Sequence, residues 1–311
     1  MMEVKSVSPA LYASLFDRPS HAFNSVAFNE LNRHKCEGVE YLVFSDPADG
    51  KPRLGLIAGR KGEMLRSPFS APFGGFDAAG RQNADVYVEA VKALRGYASQ
   101  AGLSVSITLP PPVYETEWGH IAAQQLALMA NGAGVECMDF NYSIPLAEGA
   151  SCFNRRSRSK LNKALREGFR VELVTDPALI REVYDVVVLN HTSLGYPVWM
   201  TFDDILSTTA SAVKADFFRL SDADGHTAAG AMIYHTTPDV RQLIYWGDDP
   251  AERDRCPMFL LASHIIGHYR EEGVREFDLG PASKDGIPSR GLCFFKESIG
   301  ARPSAKATVR L

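Results

Sequence analysis

The chain repeats itself, and that repeat limits its fold more than any other feature. Ser45-Asp46-Pro47-Ala48-Asp49-Gly50 resembles Ser221-Asp222-Ala223-Asp224-Gly225, one residue shorter. Asp-Gly between apolar runs signals a hairpin, because Gly takes the positive φ such turns need. Tyr41-Leu42-Val43-Phe44 and Leu54 to Ala58 flank the first turn; Phe217-Phe218-Arg219-Leu220 and Ala228 to Tyr234 flank the second. Gly55 and Gly230 lie as far apart as Gly50 and Gly225 do. A helical pattern follows in each half: Tyr87, Ala90, Val91, Leu94 and Ala98, then Met258, Leu261, Ala262, Ile265 and Tyr269. Each helix stops at a glycine, Gly102 or Gly273, and a strand then runs to Pro110 or Pro281. Hairpin, third strand, helix and strand thus occur twice, which predicts two similar α/β halves.

Between the copies lie three further helical patterns. Glu117 to Ala130 carries Ile121, Leu126 and Met129. Pro177 to Asn190 carries Ile180, Val183, Tyr184 and Val187 behind an Asp176 cap. Thr201 to Ala212 opens with Thr201 and Asp204 in capping-box spacing. A strand at Val135 to Ile144 closes the first half. The length of 311 residues fits two domains. We place them at 1–145 and 146–300.

A 45% hydrophobic and 23% charged composition excludes disordered, collagen-like and coiled-coil classes. The net charge of −4 argues against a general nucleic-acid coat, and no DNA partner is expected. It does not exclude one local basic site. Cys36, Cys137, Cys152, Cys256 and Cys293 show no C-x-x-C spacing, and their odd number suits a reducing compartment. The N-terminus lacks the apolar core of a secretory signal. Met258 to Tyr269 is too short and too polar to span a membrane. The expectation is a soluble, cytoplasmic protein of bacterial type. The eight histidines have no metal spacing, since no Glu follows His264 in the His264/His268 pair; no metal is assigned.

The repeated unit resembles the core of the GNAT acyltransferase fold. Asn154 to Phe169, closing with Ala164-x-x-x-Gly168-Phe169-x-Val171, looks like the basic helix that opens the second domain of FemABX-like transferases. Glu276-Phe277-Asp278-Leu279-Gly280, with Arg290-Gly291-Leu292-Cys293-Phe294-Phe295-Lys296-Glu297-Ser298-Ile299-Gly300-Ala301, resembles the family's tail motif. The resemblance covers residues 35–311 and implies an α/β (α+β) fold of two tandem GNAT domains with mixed central sheets. It also implies that 301–311 return to the first domain. The implied activity is amide formation on an amino sugar or peptide stem of a cell-envelope precursor, soluble or lipid-linked. The donor would be aminoacyl-tRNA or acyl-CoA as co-substrate, with no tightly bound cofactor. Two alternatives stand beside it: a CoA-dependent N-acetyltransferase of nucleotide-sugar or polysaccharide biosynthesis, and a catalytically degenerate pair that only binds. The family often ends its first-half strand in Asp-Pro, whereas this chain has Leu109-Pro110.

Acyl transfer to an amine needs a deprotonated nucleophile, a held donor and a stabilised oxyanion. By resemblance Lys296 faces the reacting centre; otherwise it is a surface lysine. Asp278 would orient the amine or act as base, unless it makes a structural hydrogen bond. Tyr245 would protonate the leaving group, or be aromatic core. The donor is expected at the start of the second-half helix, around Arg253, Arg255, Pro257 and Met258. That segment lacks the glycines of the usual GNAT loop. The Arg66 to Phe76 segment, with Phe73, Gly74 and Gly75, would wall the acceptor cleft or be a packed turn. Tyr196 and Trp199 form an aromatic loop where a sugar or peptide can stack. From Arg155 to Arg170 seven basic residues meet one acid, a local charge of +6. Arg155 and Arg158 there would attract a tRNA or nucleotide diphosphate, or else the run is a solvated face with acidic neighbours.

Overall fold

A computed structural model describes residues 2–147 and 153–311. Cys152 lies outside the described residues. Two compact units emerge: the first holds Met1–Phe140, Lys284–Ile287 and Ser304–Leu311, the second Asn141–Ser283 and Pro288–Pro303.

Unit 1 runs β1 (Glu3–Ser6), α1 (Pro9–Leu15), α2 (Val26–Leu31), β2 (Gly38–Ser45), β3 (Pro52–Lys61), β4 (Met64–Ser67), β5 (Phe76–Ala78), α3 (Ala84–Gln100), β6 (Ser104–Thr108), α4 (His120–Ala130) and the first part of β7 (Gly134–Pro145). Unit 2 takes the end of β7, then α5 (Arg155–Ala164), β8 (Arg170–Val174), α6 (Pro177–Leu194), α7 (Phe202–Ser211), β9 (Ala215–Ser221), β10 (Thr227–His235), β11 (Val240–Asp248), α8 (Pro257–Glu271) and β12 (Glu276–Pro281). After the two-residue strands β13 (Ser283–Lys284) and β14 (Ile287–Pro288) come α9 (Arg290–Ser298) and β15 (Arg302–Arg310). β1–α1–α2–β2–β3–β4–α3–β6 in unit 1 has the same order as β8–α6–α7–β9–β10–β11–α8–β12 in unit 2. The duplication therefore reaches further back than the hairpins. Two helices thought to lie between the copies, α6 and α7, are the opening helices of the second.

The two Asp-Gly turns form in the same way. Asp46 Oδ1 accepts the Ala48 N–H at 2.9 Å and Asp222 Oδ1 the Asp224 N–H at 3.0 Å. Gly50 and Gly225 take φ of 70° and 86°. Gly55 and Gly230 are the points where an opening helix meets the sheet. A Cβ on Gly55 would stand 2.6 Å from the Phe16 ring, and one on Gly230 2.9 Å from Val183 Cγ1. Alternation on the strands then builds two layers of core. In unit 1 Leu42, Phe44, Leu54 and Leu56 bury against Ala90, Val91 and Leu94 of α3. Tyr41, Val43 and Ile57 face Tyr12 and Phe16 beside α1.

The strand order in unit 1 is β1-β2-β3-β4-β6-β15-β7. β15 pairs antiparallel with β6 from Thr308–Thr108 to Arg310–Ser106, and Ala307 and Val309 enter the unit 1 core. The order in unit 2 is β7-β12-β11-β10-β9-β8.

Two helix ends differ from the sequence pattern for local reasons. α4 starts at His120 rather than Glu117, because Gly119 is left-handed at φ 67°. The Glu115 carboxylate then caps the Ile121 and Ala122 amides at 2.8 Å each. α6 continues past Asn190 to Leu194 and stops at Gly195, φ 73°. Thr201 and Asp204 form the full capping box of α7. Among the described residues no helix is long and apolar enough to cross a membrane. Nor is any group of three or more His, Cys, Asp or Glu placed to hold a metal ion there.

Candidate active site

In unit 2 the parallel strands β11 and β12 pair only at Val240–Glu276, Arg241–Phe277 and Gln242–Asp278. Past that point β11 runs on to Asp248 and β12 to Pro281 without pairing, so a gap opens between them. Two irregularities accompany it. β11 carries Ile244 as an extra residue opposite Met232 and Ile233 of β10. β12 shifts register against β7 between Asp278 and Gly280, and Gly280 has φ of 69°. Such bulges re-aim side chains and leave backbone groups unpaired. Tyr245 lies on the α6–α7 side with Val183 and Val187. Trp246 packs edge-to-face on Phe295 of α9 at 5.5 Å.

α8 follows β11 through a 3-10 turn, Pro250–Arg255. Cys256 precedes it in a left-handed conformation at φ 62°, Pro257 takes the first position, and no side chain caps its amides. A helix end of this kind presents partial positive charge. α5 packs on α8, with Lys160 Nζ 4.8 Å from the centre of the Phe259 ring. Arg155, Arg156, Arg158, Lys163, Arg166 and Arg170 are exposed and have no ion-pair partner among the described residues.

Residues 152–286 match the acetyltransferase (GNAT) domain family. The whole chain is similar in structure to FemX, at 13% identity and a TM-score of 0.68, covering 99% of this chain and 97% of that one. It is also similar to L-PGS from Bacillus licheniformis (13% identity, TM-score 0.63, covering 98% and 92%). A GCN5-related N-acetyltransferase from Sphaerobacter thermophilus matches at 13% identity and a TM-score of 0.52, covering 100% and 95%. No curated protein sequence matches the chain. The chain has a FemABX-like tandem GNAT fold. Its second unit holds nearly all of the segment that matches the acetyltransferase (GNAT) domain family.

Within this GNAT unit the expected reacting groups are placed differently from the sequence reading. Asp278 is 0% exposed. Its Oδ1 accepts from Asn141 Nδ2 at 2.8 Å and the Gly280 N–H at 2.9 Å, and Oδ2 accepts from Gln242 Nε2 at 3.1 Å. The carboxylate ties β7, β12 and β11 together at the mouth of the gap; it is not an open base. Lys296 is 2% exposed, and its ammonium donates to the carbonyls of Leu279, Gly280 and Pro281 at 2.8, 2.9 and 2.9 Å. All three N–H bonds are occupied. Lys296 is therefore a buried lysine tied to the end of β12, and not the surface lysine of the alternative reading. Tyr245 keeps a proton to give: its Oη accepts the Trp199 N–H at 3.1 Å, and burial raises its pKa.

The donor-side arginines are also tied. Arg255 donates to Glu167 Oε2 at 3.0 Å and Glu252 Oε2 at 2.6 Å, and stacks on Phe169 at 4.3 Å. It anchors the turn after α5 rather than a phosphate. Arg253 donates to Ser193 Oγ at 2.7 Å and reaches Asp248 Oδ1 at 3.4 Å. Pro257 and Met258 stand at the start of α8, so the free cations beside that helix are those of α5, including Arg155 and Arg158. Trp199 and Tyr196 are 81% and 50% exposed, as an aromatic binding loop requires.

Arg66, Phe73, Gly74 and Gly75 belong to unit 1. Phe73 is 0% exposed among His21, Phe23 and Tyr114. A Cβ on Gly74 would meet Ser67 Oγ at 2.6 Å, and one on Gly75 would meet Gln124 Oε1 at 2.6 Å. These three residues form a packed turn, one of the two alternatives the sequence leaves open for the segment; Arg66 alone of the four is exposed.

His191 was not singled out in the sequence. It lies on α6 with its ring edge-on to Tyr245 at 5.6 Å, its Nδ1 buried without a partner, and its pKa lowered by burial. Gly195 at the end of α6 was the available signal, since it extends the helix far enough to include His191.

Proposed function

We propose that the chain is an aminoacyl- or acyltransferase that forms an amide on an amino-bearing cell-envelope precursor, with aminoacyl-tRNA as donor. The observation that carries this reading is the set of six exposed cations on and after α5 that have no ion-pair partner among the described residues, with α5 packed on α8, the helix whose start is uncapped. Such a surface suits a polyanion larger than a coenzyme. The absence of glycines before α8 also favours a donor held by side-chain charge rather than by a tight backbone cradle. The acceptor amine would attack the donor ester carbonyl directly. Those β11 amides beyond Gln242 that face neither β12 nor β10 would stabilise the oxyanion. Collapse expels the ribose hydroxylate; the Tyr245 hydroxyl would supply its proton, and the phenolate so formed would take up the proton that the attacking amine loses. Trp199 and Tyr196 would stack the acceptor.

One observation favours a second reading, a CoA-dependent N-acetyltransferase: the uncapped α8 start can hold a pyrophosphate by itself. Titration with acetyl-CoA and with charged tRNA separates the two. We expect charged tRNA to bind with a steep salt dependence, and acetyl-CoA to bind weakly. Tight acetyl-CoA binding with no tRNA binding would replace the first reading with the second.

A further inference from the structure

Unit 1 contains a cavity of about 280 Å³ that no part of the transfer chemistry uses. It opens beside Gln82 and Tyr87, at the start of α3, the helix that corresponds to α8 in the repeat. Arg18 and Arg81 reach it from two separate segments. Both are exposed, and neither has an ion-pair partner among the described residues. Arg81 stacks on Trp118 at 4.2 Å, which orients its planar fork without using its N–H groups. The nearby Glu115 carboxylate is occupied by the α4 amides. The inner wall is rigid and uncharged. Tyr87 Oη lies 2.6 Å from His120 Nδ1, and His120 Nε2 lies 2.8 Å from the Phe76 carbonyl. Burial lowers the His120 pKa; the charged groups of the lining itself are the two guanidinium groups, with the amide-capped Glu115 carboxylate as the neighbouring negative charge.

Guanidinium forks match phosphate oxygens in pairs, and an indole wall suits a planar ring. The volume is near the lower limit of small-molecule pockets, roughly 300 Å³. That is too small for a whole coenzyme. We propose that unit 1 carries its own ligand site, for a nucleoside monophosphate or a phosphorylated group of that size, with the phosphate on Arg18 and Arg81 and the ring against the part of Trp118 that Arg81 leaves exposed. This site is independent of the donor surface on α5 and α8.

The test is calorimetric titration of the full chain with AMP and with inorganic phosphate, with no transfer reaction involved. AMP should bind saturably and more tightly than phosphate. Arg18→Gln and Arg81→Gln should each weaken it about tenfold, the loss expected for one charge-assisted contact. Trp118→Leu should bring AMP down to the affinity of phosphate. Arg155→Gln/Arg156→Gln/Arg158→Gln should leave AMP binding unchanged. Both arginines are exposed, so the variants should keep the parent Tm. No saturable binding of AMP up to about 1 mM, or binding unaffected by the Arg18/Arg81 double variant, would overturn the proposal. Equal affinity for AMP and phosphate in the parent chain would overturn the role of Trp118.

Discussion

Lys296 is a cation that the fold spends on its own backbone. Its ammonium closes three carbonyls at the end of β12, next to the gap where β11 and β12 part. Lys296→Met keeps the stem and removes the donors, leaving buried acceptors unsatisfied. We expect a loss of about 3 kcal/mol, read as a lower denaturation midpoint, together with reduced transfer. An unchanged midpoint would show that the ammonium does not hold the strand. Asp77 offers a pH test. Its carboxyl accepts from the Ser20 N–H at 2.8 Å, Ser20 Oγ at 2.7 Å and Asn24 Nδ2 at 3.3 Å, yet burial raises its pKa to about 6. An unfolded Asp titrates near ~4, so the folded state binds the proton more tightly. The stability this contributes is complete below pH ~4 and is lost as pH rises through the folded value. Relative to Asp77→Asn, the parent chain should lose about 2 kcal/mol between pH 4 and 7. A constant difference between the two proteins across that range would contradict the raised pKa.

At the scale of elements, the two glycine environments make opposite predictions. Gly230 faces α6, and a Cβ there would stand 2.9 Å from Val183 Cγ1 and 3.2 Å from the Val183 backbone. Gly230→Ala should cost about 1–3 kcal/mol by overpacking. Gly96 lies exposed inside α3 with nothing within 4 Å of an added Cβ. Gly96→Ala should stabilise by about 0.5–1 kcal/mol through helix propensity. Chemical denaturation of the two variants checks both. Much of this architecture was legible in the sequence, because the Asp-Gly turns, the 3.6-residue stripes of α3 and α8 and the Thr201–Asp204 box are local signals. The opening helices of unit 1 were not. α1 and α2 have seven and six residues, too few to show a periodic stripe. The site was less legible than the fold. Lys296 is satisfied by backbone carbonyls, and Asp278 by Asn141 from a distant strand, and no residue pattern records such partners. The basic helix was visible as a charge run, but only its three-dimensional surroundings reveal that its cations are unpaired.

At the scale of the molecule, the two copies of one repeated unit carry different surface features. Unit 1 is completed by the chain's last residues: β15 pairs with β6 and adds Ala307 and Val309 to its core. Deleting Ser304 to Leu311 should therefore expose unit 1 to proteolysis, with new cleavage within residues 2–140. Unit 2 bears the parted strands, the uncapped helix and the unpaired cations on which the transferase reading rests. The most direct test of that reading is the affinity of charged tRNA as a function of salt, for the parent chain and for Arg155→Gln/Arg156→Gln/Arg158→Gln. The account predicts binding in the parent, weaker binding in the variant, and a log–log salt slope shallower by about 2–3, close to one per lost phosphate contact. An identical affinity and slope in the two proteins, at an unchanged Tm, would contradict it.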